Sequence, residues 1–160
     1  VGLSLRLKIR TQKMQLSDIL AEKNVFADLK ADNKRDLLQE LADKAAKALD
    51  IDSRVIFDAL LERESLGSTG FGEGTAFPHA RIPDVKKVKA FFAKTDKPID
   101  FESVDGKPVD LVFMLISPEN SGADHLTALA TISRVLKDEQ RCARLRECTR
   151  KDKMFAILKS

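Results

Sequence analysis

Tryptophan and tyrosine are absent from this chain, and histidine and cysteine occur only twice each in 160 residues. Each scarcity removes a class of function. With no Lys/Arg stripe interleaved with aromatics, the chain lacks both the stacking platform and the electrostatic track of a nucleic-acid binder. No apolar run approaches the roughly 18 residues of a membrane-spanning helix, so no membrane insertion is expected. Two histidines without suitably spaced cysteine or carboxylate ligands do not complete a zinc site, so no metal is expected and no cofactor is implied. Cys142 and Cys148 match neither a Cys-x-x-Cys motif nor a comfortable disulfide spacing, and read as free thiols in a reducing cytosol.

Acidic residues are missing from one end. Residues 1–13 hold Arg6, Lys8, Arg10 and Lys13 with no Asp or Glu, so removing those four charges from the net +3 leaves −1 for the rest. That segment reads as a basic N-terminal extension or tail, Met14 being a natural place for a start, and it lacks the apolar h-region of a signal peptide. A cytoplasmic protein is expected. Residues 14–160, in a chain 43% hydrophobic and 33% charged, are expected to form a single domain able to bury its own core.

Asn33 caps a predicted helix from Lys34 to about Asp50, with Leu37, Leu38, Leu41 and Ala45 on one stripe. Asp52 or Ser53 caps a second, carrying Val55, Ile56, Ala59 and Leu60, and Gly67 closes it. Arg63 shares that buried stripe. Lys86 to Thr95 reads as a strand with one wetter side, because Val88, Ala90 and Phe92 alternate. Val109 to Ile116 is nearly continuous apolar and suits a central strand covered on both faces. Pro98 to Pro108 is turn-rich, with a short strand expected around Phe101. Helices are predicted from Ser121 or Asp124 to about Lys137, from Glu139 to Arg146, and from Lys151 to Leu158. Strands alternating with helices give a layered α/β domain.

The informative segment runs from Gly67 to His79 (GSTGFGEGTAFPH). Its glycines form neither a nucleotide P-loop nor a dinucleotide fingerprint, since no Gly-Lys-Ser/Thr and no helix start follow. Gly70, Gly72 and Gly74 offer backbone amides, and Ser68, Thr69 and Thr75 offer hydroxyls, all suited to phosphate oxygens. Arg63 offers a forked cation for bidentate phosphate contact. Pro78 restrains the backbone before His79, whose ring nitrogen can accept a phosphoryl group. His125 falls in the first turn of its helix on the face of Leu129, Ile132 and Leu136. It therefore points inward, where a helix N-terminus favours neutral imidazole and an anion nearby. Phe71 and Phe77 are expected to form an apolar rim beside the histidine.

The run from Arg63 to His79 (RESLGSTGFGEGTAFPH) closely resembles the active-site signature of enzyme IIA domains of the fructose–mannitol class of the bacterial phosphotransferase system. KPVDLVFMLI from Lys107, HLxxLA from His125 and CxxLR from Cys142 look most like the nitrogen-regulatory branch. The resemblance covers roughly residues 14–158. It implies a three-layer α/β sandwich with a mixed β-sheet flanked by helices on both faces. It also implies phosphorylation of His79, with Arg63 steadying the phosphoryl group and His125 as second histidine. Its donor would be a phosphocarrier protein of the HPr or NPr kind, fed by phosphoenolpyruvate. The downstream partner would be a regulatory target protein or, in a sugar-transport enzyme, a IIB component. Two positions depart from the pattern: Ala80 stands where glycine usually follows the histidine, and Phe77 replaces a smaller aliphatic residue.

Overall fold

A computed structural model describes residues 14–160; the expected basic segment 1–13 lies outside the described residues. A one-turn helix α1 (Leu16–Ile19) and a 3-10 turn (Glu22–Asn24) lead into β1 (Val25–Leu29). Helices α2 (Lys34–Leu49) and α3 (Ser53–Ser65) follow. Five strands come next: β2 (Gly70–Gly72), β3 (Thr75–Ala76), β4 (His79–Ile82), β5 (Lys89–Ile99) and β6 (Val109–Pro118). The chain closes with α4 (Ala123–Lys137), α5 (Glu139–Glu147) and α6 (Lys151–Lys159).

The helix boundaries follow from their caps. The Asn33 side chain accepts from the Asp36 amide at 2.8 Å, and the Asp52 carboxylate accepts from the Arg54 amide at 2.9 Å, satisfying donors that have no partner inside the helix. At the far end of α2, Asp50 turns into the left-handed region at φ 54°.

The sheet runs β1-β5-β6-β3-β2, with β4 also paired to β6. β5 and β6 are antiparallel, while β1 is parallel to β5 and both β3 and β4 are parallel to β6. Alternation along β6 divides the core in two. Val112, Met114 and Ile116 pack beneath α2 and α3, whereas Leu111, Phe113 and Leu115 pack beneath α1, α4, α5 and α6. The expected three layers, with a mixed sheet between helices, are thus present. Phe92 and Phe113 meet edge to face across β5 and β6 with centroids 5.0 Å apart. Fully burying each such ring contributes about 1.5–3 kcal/mol.

Two strand expectations need correction. β5 has no wetter side over its first half: Ala90, Phe91, Phe92 and Ala93 are all fully buried, because both helical layers cover it. No strand forms around Phe101. That ring is fully buried from a loop, so the apolar residue that suggested a strand plugs the core instead.

Candidate active site

One edge of β6 is occupied by a strand in two pieces. β3 pairs Thr75 and Ala76 with Leu111 and Val112, and β4 resumes the same parallel register with His79 opposite Leu115. Phe77 and Pro78 form the break. Proline has no amide hydrogen to give the ladder, so the interruption falls where a donor is missing anyway. The Pro78 carbonyl still accepts from the Leu115 amide at 3.1 Å. The Phe77 carbonyl turns aside and lies 2.9 Å from His79 Nδ1.

That contact sets the histidine's chemistry. A carbonyl can only accept, so Nδ1 carries the proton and Nε2 keeps its lone pair. Arg63 Nε donates to this Nε2 at 3.3 Å, and Arg63 Nη1 donates to the Gly67 carbonyl at 2.9 Å, which anchors the guanidinium at the end of α3. His79 is half-buried. Burial lowers its pKa below the ordinary 6.5, and the Arg63 charge lowers it further, while the Phe77 carbonyl and the Glu64 carboxylate oppose them.

His125 lies 6.0 Å away between ring centroids. It is buried, as expected from its helical face, and its Nδ1 sits 2.7 Å from the hydroxyl of Ser117, which is fully buried at the end of β6. Among the described residues that hydroxyl has no other hydrogen-bond partner, and a hydroxyl that donates to Nδ1 puts the imidazole proton on Nε2. In that tautomer the two rings are complementary. One presents a lone pair at Nε2 and the other a proton. Burial, then the positive charge of Arg81, then His79, push the His125 pKa below 6.5. Desolvation is the leading cause of that lowering.

The structure gathers Arg63, His79 and His125 into one pocket, whose walls also include Leu66 and Arg81. It does not bring the glycine segment there. Ser68 Oγ donates to the Phe101 carbonyl at 2.9 Å and accepts from the Gly70 amide at 3.0 Å. The Thr69 hydroxyl and amide both bind the Glu64 carboxylate, which also pairs with Lys34 at 3.0 Å. Thr75 Oγ1 donates to the Gly72 carbonyl at 2.7 Å. Gly70, Gly72 and Gly74 belong to the β2–β3 hairpin, and none of these six residues lines the pocket. Glycine is required at Gly70 because an added Cβ would stand 2.9 Å from the Ser103 Cα, and at Gly74 because φ is 82° with the Arg146 guanidinium 2.6 Å from such a Cβ.

The expected aromatic rim also differs. Phe77 lies beside His79, with ring centroids 5.6 Å apart, but is buried, and Phe71 packs partly against the core, whereas Leu66 is the exposed apolar side chain on the pocket wall. Arg81 and Ser117 were not singled out by the sequence. A strand reading of HARI would have placed Arg81 on the face of His79.

Comparison with known proteins finds relatives along nearly the whole chain. The family model described as "Phosphoenolpyruvate-dependent sugar phosphotransferase system, EIIA 2" matches residues 18–160. The nitrogen regulatory protein of Bradyrhizobium diazoefficiens is 45% identical over 145 residues, spanning 91% of this chain and 95% of that protein. The fructose-specific EIIABC component of Bacillus subtilis is 32% identical over 91% of this chain but only 23% of its own length. The crystal structure of the nitrogen regulatory protein IIA-Ntr from Neisseria meningitidis superposes with a TM-score of 0.84 at 31% identity, covering 89% of this chain and 98% of that one.

Proposed function

The chain belongs to the EIIA 2 family of the phosphoenolpyruvate-dependent sugar phosphotransferase system, and from that premise we propose that His79 is its phosphoryl acceptor, charged at Nε2 by a histidine phosphocarrier of the HPr or NPr kind. The observation that carries this reading is the pairing of His79 Nδ1 with the Phe77 carbonyl, which leaves Nε2 as the unprotonated nitrogen, facing Arg63.

Transfer between two imidazoles asks for positioning and charge neutralisation more than covalent help. The donor's P–N bond breaks as the Nε2–P bond forms, and the donor ring retains the electron pair. The His79 proton remains at Nδ1 against the Phe77 carbonyl, so no base is required. Arg63, which holds the Nε2 lone pair at rest, passes its N–H to a phosphoryl oxygen as the group arrives. His125 offers its Nε2 proton to another oxygen while neutral. The test is labelling from a phosphoenolpyruvate-fed carrier chain: the wild-type protein takes up acid-labile, base-stable phosphate and His79→Ala takes up none. Undiminished labelling of His79→Ala rejects the assignment.

A regulatory role is favoured over sugar transport. Identity to the Bradyrhizobium nitrogen regulatory protein, 45% over 95% of its length, exceeds that to the fructose-specific EIIA component of Haloferax volcanii, 38% over 82% of its length. In this reading a cytoplasmic phosphocarrier binds different target proteins in its two phosphorylation states, since the phosphoryl group adds about −2 charge beside exposed Leu66. The alternative is a fructose- or mannitol-type enzyme IIA that passes phosphate to a IIB component. Rapid stoichiometric transfer to such a IIB, coupled to sugar uptake, would replace the regulatory reading.

A further inference from the structure

We propose that Arg81 is a second phosphoryl-binding cation of this site, facing Arg63 across the histidine pair and contacting the phosphoryl group during transfer. The proposal rests on the phosphoryl-acceptor reading of His79. Its first support is strand geometry. Successive side chains of β4 alternate faces, and Ala80 and Ile82 are buried in the core beneath α2 and α3. His79 and Arg81 consequently share the opposite face, and both line the same pocket.

The second support is register. Arg81 pairs with Ser117 across the β4–β6 ladder, and Ser117 is the residue whose hydroxyl holds His125. The guanidinium is thus carried to the His125 side of the pocket, whereas Arg63 approaches His79 from the end of α3. The third is availability. Among the described residues Arg81 forms no ion pair and no side-chain hydrogen bond, although Glu62 also lies on the pocket wall, while the neighbouring charged side chains Lys34 and Glu64 are paired with each other. An exposed guanidinium with all its donors unengaged, beside a nucleophilic nitrogen, is suited to a dianion that arrives and leaves. Its field on His125, which favours the neutral ring, agrees with that placement.

In the transfer step the donor P–N bond breaks and the Nε2–P bond forms. Arg81 donates N–H to an equatorial oxygen without gaining or losing a proton. Because Arg81 is open to water, its removal is expected to slow transfer on the order of tenfold, less than the 10²–10³ typical of an enclosed donor.

The experiment is single-turnover transfer from a phosphohistidine-bearing carrier to wild type, Arg81→Gln and Arg81→Lys over a range of carrier concentrations. Expected is a roughly tenfold lower saturating rate for Arg81→Gln, largely restored in Arg81→Lys, with the half-saturating concentration nearly unchanged. A normal saturating rate with a raised half-saturating concentration overturns the proposal, because Arg81 would then steer the carrier without touching the phosphoryl group. Equal kinetics in all three proteins overturns it too. A wild-type chain that does not label at His79 overturns the function itself, and Arg81 with it.

Discussion

The glycine hairpin and the histidine pocket are adjacent in sequence and opposite in character. In the hairpin, hydrogen-bonding capacity is committed internally: Ser68 to Phe101, Thr69 to Glu64, Thr75 to Gly72, the Glu73 amide to Asp105 at 2.9 Å, and Arg146 to the Glu73 carbonyl at 2.9 Å. In the pocket, His79 Nε2 meets only the long 3.3 Å contact from Arg63, His125 is held at Nδ1 alone, and the Arg81 guanidinium has no partner among the described residues. Residue types that suit phosphate binding therefore build a scaffold when their partners are other parts of the chain. They build a site only when they are left open. Arg146, which also grips Asp110 through Nε at 3.0 Å, ties the hairpin tip to α5 and keeps this scaffold in place.

The largest expected effect lies on the pocket side of the comparison. Arg63→Ala should fold normally yet lose about 2.7–4 kcal/mol of transition-state stabilisation, a drop of roughly 10²–10³ in single-turnover phosphorylation. A wild-type rate for this variant would remove Arg63 from the site and leave the pocket hardly more active than the hairpin. On the hairpin side, Gly70→Ala forces a Cβ against Ser103 and is expected to destabilise by about 1–3 kcal/mol, measured by urea unfolding. Its labelling rate per folded molecule should match wild type. A stable Gly70→Ala protein with slow labelling would break the distinction and return the hairpin to a direct role with phosphate.

The smallest expected effect concerns pH. Both histidines have folded pKa values below 6.5, so the unfolded chain binds protons first as pH falls. Their contribution is fully present above about pH 6.5 and is lost as pH drops from there through the lowered folded values. The urea midpoint should decline modestly from pH 7 to pH 5.5, and a His79→Gln, His125→Gln protein should show a flatter profile. An unchanged slope would mean that the rings are not held neutral by the fold. The same depression keeps Nε2 of His79 nucleophilic at pH values where a free imidazole is already protonated.

Much of the layering was legible in the sequence. Asn33 and Asp52 cap where their residue types suggest, and the apolar run of β6 is covered on both sides. β1 and β4 escaped notice because VFADL and HARI are too short for a period to show. β4 in particular hides among glycines and prolines that read as loop. The wet side assigned to β5 came from weighing the alternation of Val88, Ala90 and Phe92 above the unbroken apolar run Ala90 to Ala93. At the site, Arg63, His79 and His125 were legible because glycine, proline and helix-terminal signals surround them. The partnership of Ser117 with His125 and the placement of Arg81 depend on the register between β4 and β6, a relation between distant segments that no local pattern records.

The break in the strand at Phe77 and Pro78 has an evolutionary consequence. The Gly74 and Pro78 carbonyls accept from the Leu111 and Leu115 amides of β6, so the alternation of the chain turns the Phe77 carbonyl away from that strand and leaves it to His79 Nδ1. Here the instruction is written in the main chain, which every amino acid shares. Residue 77 can drift among side chains of compatible volume without altering which nitrogen is free. A mutation that re-routes the backbone at this position would rewrite it.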